Sequence, residues 1–85
     1  MKQFTYTITD AEGIHARPAG LLVKTASSFS SDIKVTKGST SGNAKKIFAV
    51  MGLAAKQGDT VTVIAEGSDE AKASETLLAF FKSNL

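Results

Sequence analysis

The sequence contains no cysteine and only one histidine among its 85 residues. Without cysteine it can form neither a disulfide framework nor a thiolate metal site, which fits a reducing compartment. A single imidazole does not make a metal-ligand set, so we expect no metal ion and no other cofactor. These absences exclude small secreted disulfide proteins and zinc-binding modules, and they favour a cytoplasmic protein.

Long hydrophobic runs are missing as well. Residues 1–7 lack the apolar segment of a signal peptide, and no stretch approaches the ~20 apolar residues of a membrane span. The net charge of +2 is too small to indicate a nucleic-acid partner by itself. The hydrophobic fraction of 42% is enough for a two-layer fold. We therefore expect one domain spanning residues 1–85, with no direct insertion into a membrane.

Three segments have the pattern of β-strands. Apolar residues alternate with threonine from Phe4 to Ile8, and the alternation returns at residues 33–36. Residues 60–66 are rich in valine and isoleucine and give the strongest strand signal. Between these segments, residues 37–43 are rich in Gly, Ser and Thr, which predicts a hairpin-like turn followed by a short fourth strand.

Three further segments have helical spacing of their apolar residues. The first covers residues 16–28 and carries Pro18 in its first turn, where a missing N–H costs nothing. The second covers residues 45–53, and its apolar side would be formed by Ile47, Val50 and Met51. The last would begin at Ser68 as N-cap, with an apolar face made of Ala73, Leu77, Phe80 and Phe81. The order β-α-β-β-α-β-α predicts an α+β fold in which helices cover one face of a single sheet.

The only histidine lies at the junction between the first strand and the first helix, in the segment Gly13-Ile14-His15-Ala16-Arg17-Pro18-Ala19. The free N–H groups of Ala16 and Arg17 would form an anion site there, reinforced by the helix dipole. Arg17 adds a planar cation suited to phosphate oxygens, and Pro18 stiffens the turn. Gly13 would let the chain bend and leave space beside the ring.

A neutral imidazole nitrogen is a nucleophile at cellular pH and can hold a phosphoryl group reversibly. A lone histidine at a helix start is more often a surface residue or a neutral cap, and a lone arginine is usually solvated. Each residue alone is therefore weak support. The combination of a turn glycine, His15, Arg17 and Pro18 at one helix start predicts a phosphoryl-accepting site.

The motif Ile14-His15-Ala16-Arg17-Pro18-Ala19 resembles the active-site motif of the HPr family, the histidine phosphocarriers of the bacterial sugar phosphotransferase system. The segment of residues 43–51 is similar too, and the resemblance extends over essentially the whole chain. It implies an open-faced β-sandwich of four antiparallel strands with three helices on one face. It also implies that His15 is phosphorylated on Nδ1 by phospho-enzyme I, which is charged by phosphoenolpyruvate, and that the phosphoryl group passes to a sugar-specific enzyme IIA.

In this resemblance Arg17 would steady the phosphoryl group, and the protein would be a carrier rather than a turnover enzyme. Both partners would dock transiently on a monomer, on a surface made by the first two helices. That surface would comprise Gly20, Leu21, Lys24, Ile47, Phe48, Met51 and Leu53. For Phe48 two interpretations are equally good from the sequence: an exposed interaction residue, or ordinary packing against a loop.

The chain departs from the family pattern at two positions. Many relatives carry a regulatory serine where this chain has Lys46, and a lysine cannot be phosphorylated in that way, so regulation by HPr kinase is in doubt. Relatives more often have a small polar residue where this chain has Glu12. A carboxylate close to His15 would repel an incoming phosphoryl group.

Two other functions stay open at this point. The chain could serve a different phosphorelay or act as a regulatory docking protein, although the presence of both His15 and Arg17 argues against a role without phosphoryl transfer. It could instead bind nucleic acid, as other small sheet-and-helix domains do. The strands, however, show no interleaved aromatics for base stacking, and acidic residues nearly balance the basic ones, so we expect no nucleic-acid partner.

Overall fold

The computed structural model describes residues 1–85 and contains four strands and three helices in the predicted order. In chain order the elements are β1 (Lys2–Thr7), α1 (Ala16–Ser27), β2 (Asp32–Lys37), β3 (Thr40–Asn43), α2 (Ile47–Met51), β4 (Thr60–Glu66) and α3 (Glu70–Asn84). No helix is both long and apolar enough to cross a lipid bilayer.

The four strands form one antiparallel sheet in the spatial order β1-β4-β2-β3. Because successive side chains of a strand point to opposite faces, neighbouring rows across the sheet differ in polarity. The row that faces the core consists of Phe4, Val63, Val35 and Gly42. The next row faces outward and consists of Thr5, Thr62, Thr36 and Ser41. The sheet is therefore open on one face, and the expected open-faced β-sandwich is confirmed.

The helices occupy the apolar face of the sheet. Helix α3 packs on β1 and β4, α1 lies against α2 and α3, and α2 lies against β3. Phe81 of α3 is buried at the centre of an aromatic cluster. Its ring meets those of Phe4, Tyr6 and Phe80 edge to face, with centroids 5.8, 5.5 and 6.1 Å away. Such pairs add about 0.5–1.5 kcal/mol each beyond their burial, so this cluster fixes α3 on the sheet.

Helix α2 is shorter than the predicted segment of residues 45–53. The N–H of Lys45 donates to the side-chain oxygen of Asn43 (2.9 Å) and that of Lys46 to the Asn43 carbonyl (3.0 Å), which makes a turn before the helix. Helix and strand approach closely at Gly42, where a Cβ would lie only 2.6 Å from the carbonyl oxygen of Ala49. Glycine at this position therefore allows α2 to rest on β3.

The start of α3 differs from the prediction. Ser68 is not its N-cap, because the helix begins at Glu70 and Asp69 occupies the capping position. The Asp69 carboxylate does not cap the helix either. It accepts hydrogen bonds from the N–H groups of Ser30 and Ser31, both at 2.9 Å, and from the Ser31 hydroxyl. A long-range contact between the α1–β2 loop and the start of α3 has replaced the local cap.

These hydrogen bonds make Asp69 a source of acid sensitivity. The Ser31 hydroxyl first, and then the Ser30 N–H, lower the pKa of Asp69 from 3.8 to about 2. A carboxyl group whose pKa is depressed by folding stabilises the folded state above its unfolded pKa. That contribution is lost as the pH falls from 3.8 through about 2.

We predict that Asp69→Asn lowers the free energy of unfolding at pH 7 and flattens its decline between pH 3.8 and about 2. The measurement is urea unfolding followed by circular dichroism at four pH values across that window. Asp32→Asn is the control, since the Asp32 side chain is exposed. An equally steep decline in wild type and Asp69→Asn would contradict the assignment.

Candidate functional site

His15 is the N-cap residue of α1, with an extended backbone (φ −104°, ψ −172°). Its side chain is 39% exposed and forms no capping hydrogen bond with the helix. Neither ring nitrogen is therefore used to satisfy the start of α1. The imidazole is accessible to solvent.

Two backbone N–H groups at the start of α1 have no partner within the helix. The N–H groups of the N-cap and of the first three helical residues lack intrahelical acceptors. The His15 N–H is used in the preceding turn, Pro18 has none, and the Ala19 N–H bonds the His15 carbonyl at 2.9 Å. The unpaired donors are consequently those of Ala16 and Arg17, the two that the sequence predicts. Together with the helix dipole they favour an anion beside the imidazole.

Arg17 lines the same cleft as His15. The cleft has a volume of about 230 Å³ and is lined by Asp10, His15, Arg17, Pro18, Leu21, Ser83 and Asn84. Arg17 is exposed and forms no ion pair within the chain, so its guanidinium is available to an external anion. Ser83 and Asn84 come from the end of α3, far away in sequence, and no local pattern identifies them as part of this cleft.

A larger concavity, of about 480 Å³, lies away from the histidine. It is partly lined by Lys34, Asn43 and Ile64, on the open face of the sheet. It contains neither an imidazole nor a guanidinium. The smaller cleft therefore remains the one with nucleophilic and anion-binding groups together.

The loop that carries His15 is held by backbone hydrogen bonds to two distant parts of the chain. The N–H groups of Thr9 and Asp10 both donate to the Leu85 carbonyl oxygen, at 2.6 and 2.8 Å. On the other side, the Ile14 N–H donates to the Ala55 carbonyl oxygen at 2.9 Å. Leu85 is itself buried. The position of the imidazole is thus set by contacts that span the whole sequence.

Gly13 is needed for the second of these attachments. Its φ is +67°, a conformation that side chains disfavour, and a Cβ would lie 2.3 Å from the Ala55 carbonyl oxygen. The sequence predicts that Gly13 lets the chain bend and leaves space beside the imidazole ring. The structure contains the bend. The space beside the missing side chain, however, is filled by Ala55 and Lys56 and not by the ring.

We predict that Gly13→Ala lowers the free energy of unfolding by about 3 kcal/mol, the sum of backbone strain and steric overlap. Gly38→Ala is a matched control, because Gly38 has a φ of +59° and no atom within 4 Å of an added Cβ. Strain alone should make Gly38→Ala cost about 1 kcal/mol. Urea unfolding of both variants measures the difference, and equal losses would show that Gly13 is not sterically confined.

Glu12 points toward the imidazole. One carboxylate oxygen, Oε2, lies 3.4 Å from Nε2 of His15. The Glu12 side chain is 73% exposed, while its backbone N–H donates to the Asp10 carboxylate at 2.8 Å. Glu12 is therefore in contact with the site.

Exposed apolar side chains lie on α1 and α2, two helices in contact with each other, and one of these side chains, that of Leu21, also lines the cleft. Phe48 is 85% exposed, which excludes ordinary packing against a loop, and Leu21 and Met51 are exposed as well. We call Leu21, Phe48 and Met51 the apolar patch. Lys24, also exposed, follows Leu21 on α1. Such a patch is typical of a surface that binds another protein.

The other residues of the expected docking surface are less accessible. Gly20 and Ile47 are half-buried where α1 meets α2, and a Cβ on Gly20 would lie 3.9 Å from Cδ1 of Ile47. Leu53 must be removed from the surface, because it is only 2% exposed and belongs to the core. It lies beyond the end of α2, where the chain turns back toward the sheet.

Lys46 is the N-cap residue of α2 and is exposed. The preceding Lys45 has a different environment, since its ammonium donates to the Phe29 carbonyl oxygen at 2.7 Å and fixes the α1–β2 loop. Lys46 is thus the solvated member of the pair. No hydroxyl is present at that position.

Comparison with known proteins shows the family of this chain. The family model described as the PTS HPr component phosphorylation site matches residues 2–83. The chain belongs to the HPr family. HPr proteins are phosphocarriers of the phosphotransferase system, so the resemblance seen in the sequence is confirmed.

Individual HPr proteins are similar over nearly the whole chain. The phosphocarrier protein HPr of Lysinibacillus sphaericus is 48% identical over 77 residues, 91% of this chain and 88% of its own length. The solved histidine-containing phosphocarrier of Mycoplasma has a TM-score of 0.94 at 39% identity, covering 96% of this chain and 93% of its own. A solved HPr dimer from Thermoanaerobacter tengcongensis has a TM-score of 0.78 at 46% identity, covering 98% and 95%.

Proposed function

We propose that this chain accepts a phosphoryl group on Nδ1 of His15 from phospho-enzyme I and passes it to a sugar-specific enzyme IIA in the cytoplasm. One observation carries the proposal. An exposed imidazole forms the N-cap of α1, beside two unpaired N–H groups and the unpaired guanidinium of Arg17. These are a nucleophile and the donors that a phosphoryl group requires.

The transfer needs little from the carrier beyond positioning. The Nδ1 lone pair of His15 forms a bond to phosphorus while the bond from phosphorus to the leaving atom of the donor protein breaks, and that atom keeps the electron pair. The N–H groups of Ala16 and Arg17, with the Arg17 guanidinium, stabilise the charge on the phosphoryl oxygens. Because these hydrogen-bond donors are already in place before the phosphoryl group arrives, little reorganisation of the protein accompanies the transfer. The same groups serve the reverse event, when enzyme IIA takes the phosphoryl group away.

The direct test is incubation with phosphoenolpyruvate and enzyme I, followed by mass measurement. We expect one added phosphoryl group that is labile in acid, stable in alkali and absent from His15→Ala. Arg17→Ala should slow phosphorylation by about 10- to 100-fold, the equivalent of one hydrogen bond to a charged group. Lys72→Ala, which removes an exposed charge from α3, is the control and should react normally. Phosphorylation of His15→Ala at the wild-type rate would disprove the proposal.

Both partners would dock on the apolar patch and the adjacent Lys24. The patch is exposed, reaches the cleft through Leu21 and contains the aromatic and methionine side chains that suit the centre of an interface. Only one partner could reach His15 at a time. The complexes are therefore expected to be short-lived.

Phe48→Ser should weaken docking because it removes the most exposed aromatic side chain of the patch. We predict about a tenfold higher KM of enzyme I for this variant, with an unchanged free energy of unfolding. Ile64→Thr, on the open face of the sheet, is the control and should leave KM unchanged. Wild-type kinetics in Phe48→Ser would place the docking surface elsewhere.

The residue at position 46 determines whether the chain can be regulated by phosphorylation there. We propose that HPr kinase does not modify this chain at residue 46, since Lys46 offers no hydroxyl.

We propose a monomer as the carrier, and light scattering would detect a dimer such as that described for the Thermoanaerobacter tengcongensis relative. Nucleic-acid binding gains no support, because threonine side chains occupy the open face of the sheet where base-stacking aromatics would be needed.

A further inference from the structure

The contact between Glu12 and His15 involves a specific ring nitrogen. Oε2 of Glu12 is 3.4 Å from Nε2, the nitrogen that does not carry the phosphoryl group in the proposed function. At that separation a small rotation of the exposed carboxylate gives a hydrogen bond from an Nε2 proton. An imidazole that donates from Nε2 has its lone pair on Nδ1. The side on which Glu12 lies therefore matters for the chemistry.

The backbone on both sides of this contact is fixed, so the two side chains are held close together. The Glu12 N–H donates to Oδ1 of Asp10 (2.8 Å) and the Gly13 N–H to the Asp10 carbonyl (3.0 Å). The His15 N–H donates to the Gly13 carbonyl (3.1 Å). Together with the hydrogen bond from the Ile14 N–H to the carbonyl of residue 55, these hydrogen bonds restrict the backbone that connects Glu12 to His15.

We propose that Glu12 is a positioning residue that holds the proton of His15 on Nε2 and thereby presents Nδ1 as the nucleophile. The proposal rests on phosphoryl transfer through His15. Glu12 contacts the ring nitrogen opposite the one that accepts the phosphoryl group, so it acts only through the imidazole. This separation weakens the repulsion of the phosphoryl group that the sequence predicts. In many catalytic and metal-bound histidines, a carboxylate accepts a hydrogen bond from the ring nitrogen that does not react, and so fixes the tautomer and the orientation of the ring. Glu12 has the same role for His15.

The same contact has a consequence after phosphoryl transfer. When the Nδ1 lone pair forms the P–N bond, the proton on Nε2 stays, so the ring gains a positive charge. Glu12 faces that charge and stabilises it. A protonated ring is the better leaving group when the P–N bond breaks, because the electron pair returns to a neutral imidazole. Glu12 thus favours formation of the bond, and by keeping the proton on Nε2 it maintains the form of the ring from which the P–N bond breaks to give a neutral imidazole.

The other charged groups of the cleft have different tasks. Asp10 and Arg17 also line it, from the loop and from α1 respectively. Oδ1 of Asp10 is occupied by the Glu12 N–H, which makes it part of the scaffold of the loop. The Arg17 guanidinium is the counter-charge for the phosphoryl oxygens. Glu12 is the only carboxylate within ion-pair distance of the imidazole.

Long-range ¹⁵N–¹H correlation spectra of the imidazole test the tautomer directly, at a pH where the ring is neutral. We expect the ratio of the Nε2–H to the Nδ1–H form to fall about two- to fivefold in Glu12→Ala, because a hydrogen bond from the neutral ring to the carboxylate is lost. The Glu12→Gln amide can either accept from or donate to Nε2, so its ratio should lie between those of the wild type and Glu12→Ala. Glu75→Gln, which alters an exposed carboxylate of α3, is the control. A wild-type ratio in Glu12→Ala would overturn the proposal.

The lifetime of the phosphohistidine at neutral pH tests the second consequence. Both Glu12→Ala and Glu12→Gln lack the negative charge, so the phosphoryl group should persist about two to five times longer than in the wild type. Equal lifetimes in all proteins would overturn this role of Glu12. If the wild-type protein accepted no phosphoryl group at all, the proposed function would fail instead, whereas the tautomer ratio would still report on the Glu12 contact.

Discussion

The site depends on the backbone hydrogen bonds that hold the loop between β1 and α1. Thr9 and Asp10 bond to Leu85, and Ile14 bonds to Ala55, so segments from the end and the middle of the chain meet around the histidine. The imidazole itself forms no hydrogen bond with the helix that it caps. The position of its backbone is therefore set by the scaffold, and neither ring nitrogen is needed to cap the helix. The remainder of the fold serves largely to bring these attachment points together.

Much of the architecture could be predicted because it is encoded locally. The β-branched run of β4 was predicted with its observed bounds, and α1 ended within one residue of its predicted end. In both segments the period of the apolar residues agrees with the burial that the fold imposes. The donors of Ala16 and Arg17 were predictable as well, because Pro18 and the helix start determine which N–H groups remain unpaired.

The rest depends on contacts between residues far apart in sequence. Ser68 has the features of an N-cap, yet Asp69 takes that position and bonds to the α1–β2 loop. Leu53 follows an amphipathic helix, but the chain turns it into the core. Ser83 and Asn84 join the cleft only because α3 ends beside the histidine loop. The sequence places Glu12 near His15, but which ring nitrogen it approaches depends on the fold of the loop.

The placement of the imidazole and the apolar patch on one side of the molecule has a kinetic consequence. In the function proposed above, a phosphoryl donor protein seated there would exclude an acceptor protein, so each cycle would contain a dissociation before the next protein could arrive. A very high affinity of the carrier for its partner proteins would then lower the overall rate of phosphoryl transfer, because the carrier would remain bound in complexes that have already reacted. Selection on such a surface should favour rapid departure, and a modest, replaceable set of apolar side chains around Phe48 suits that requirement.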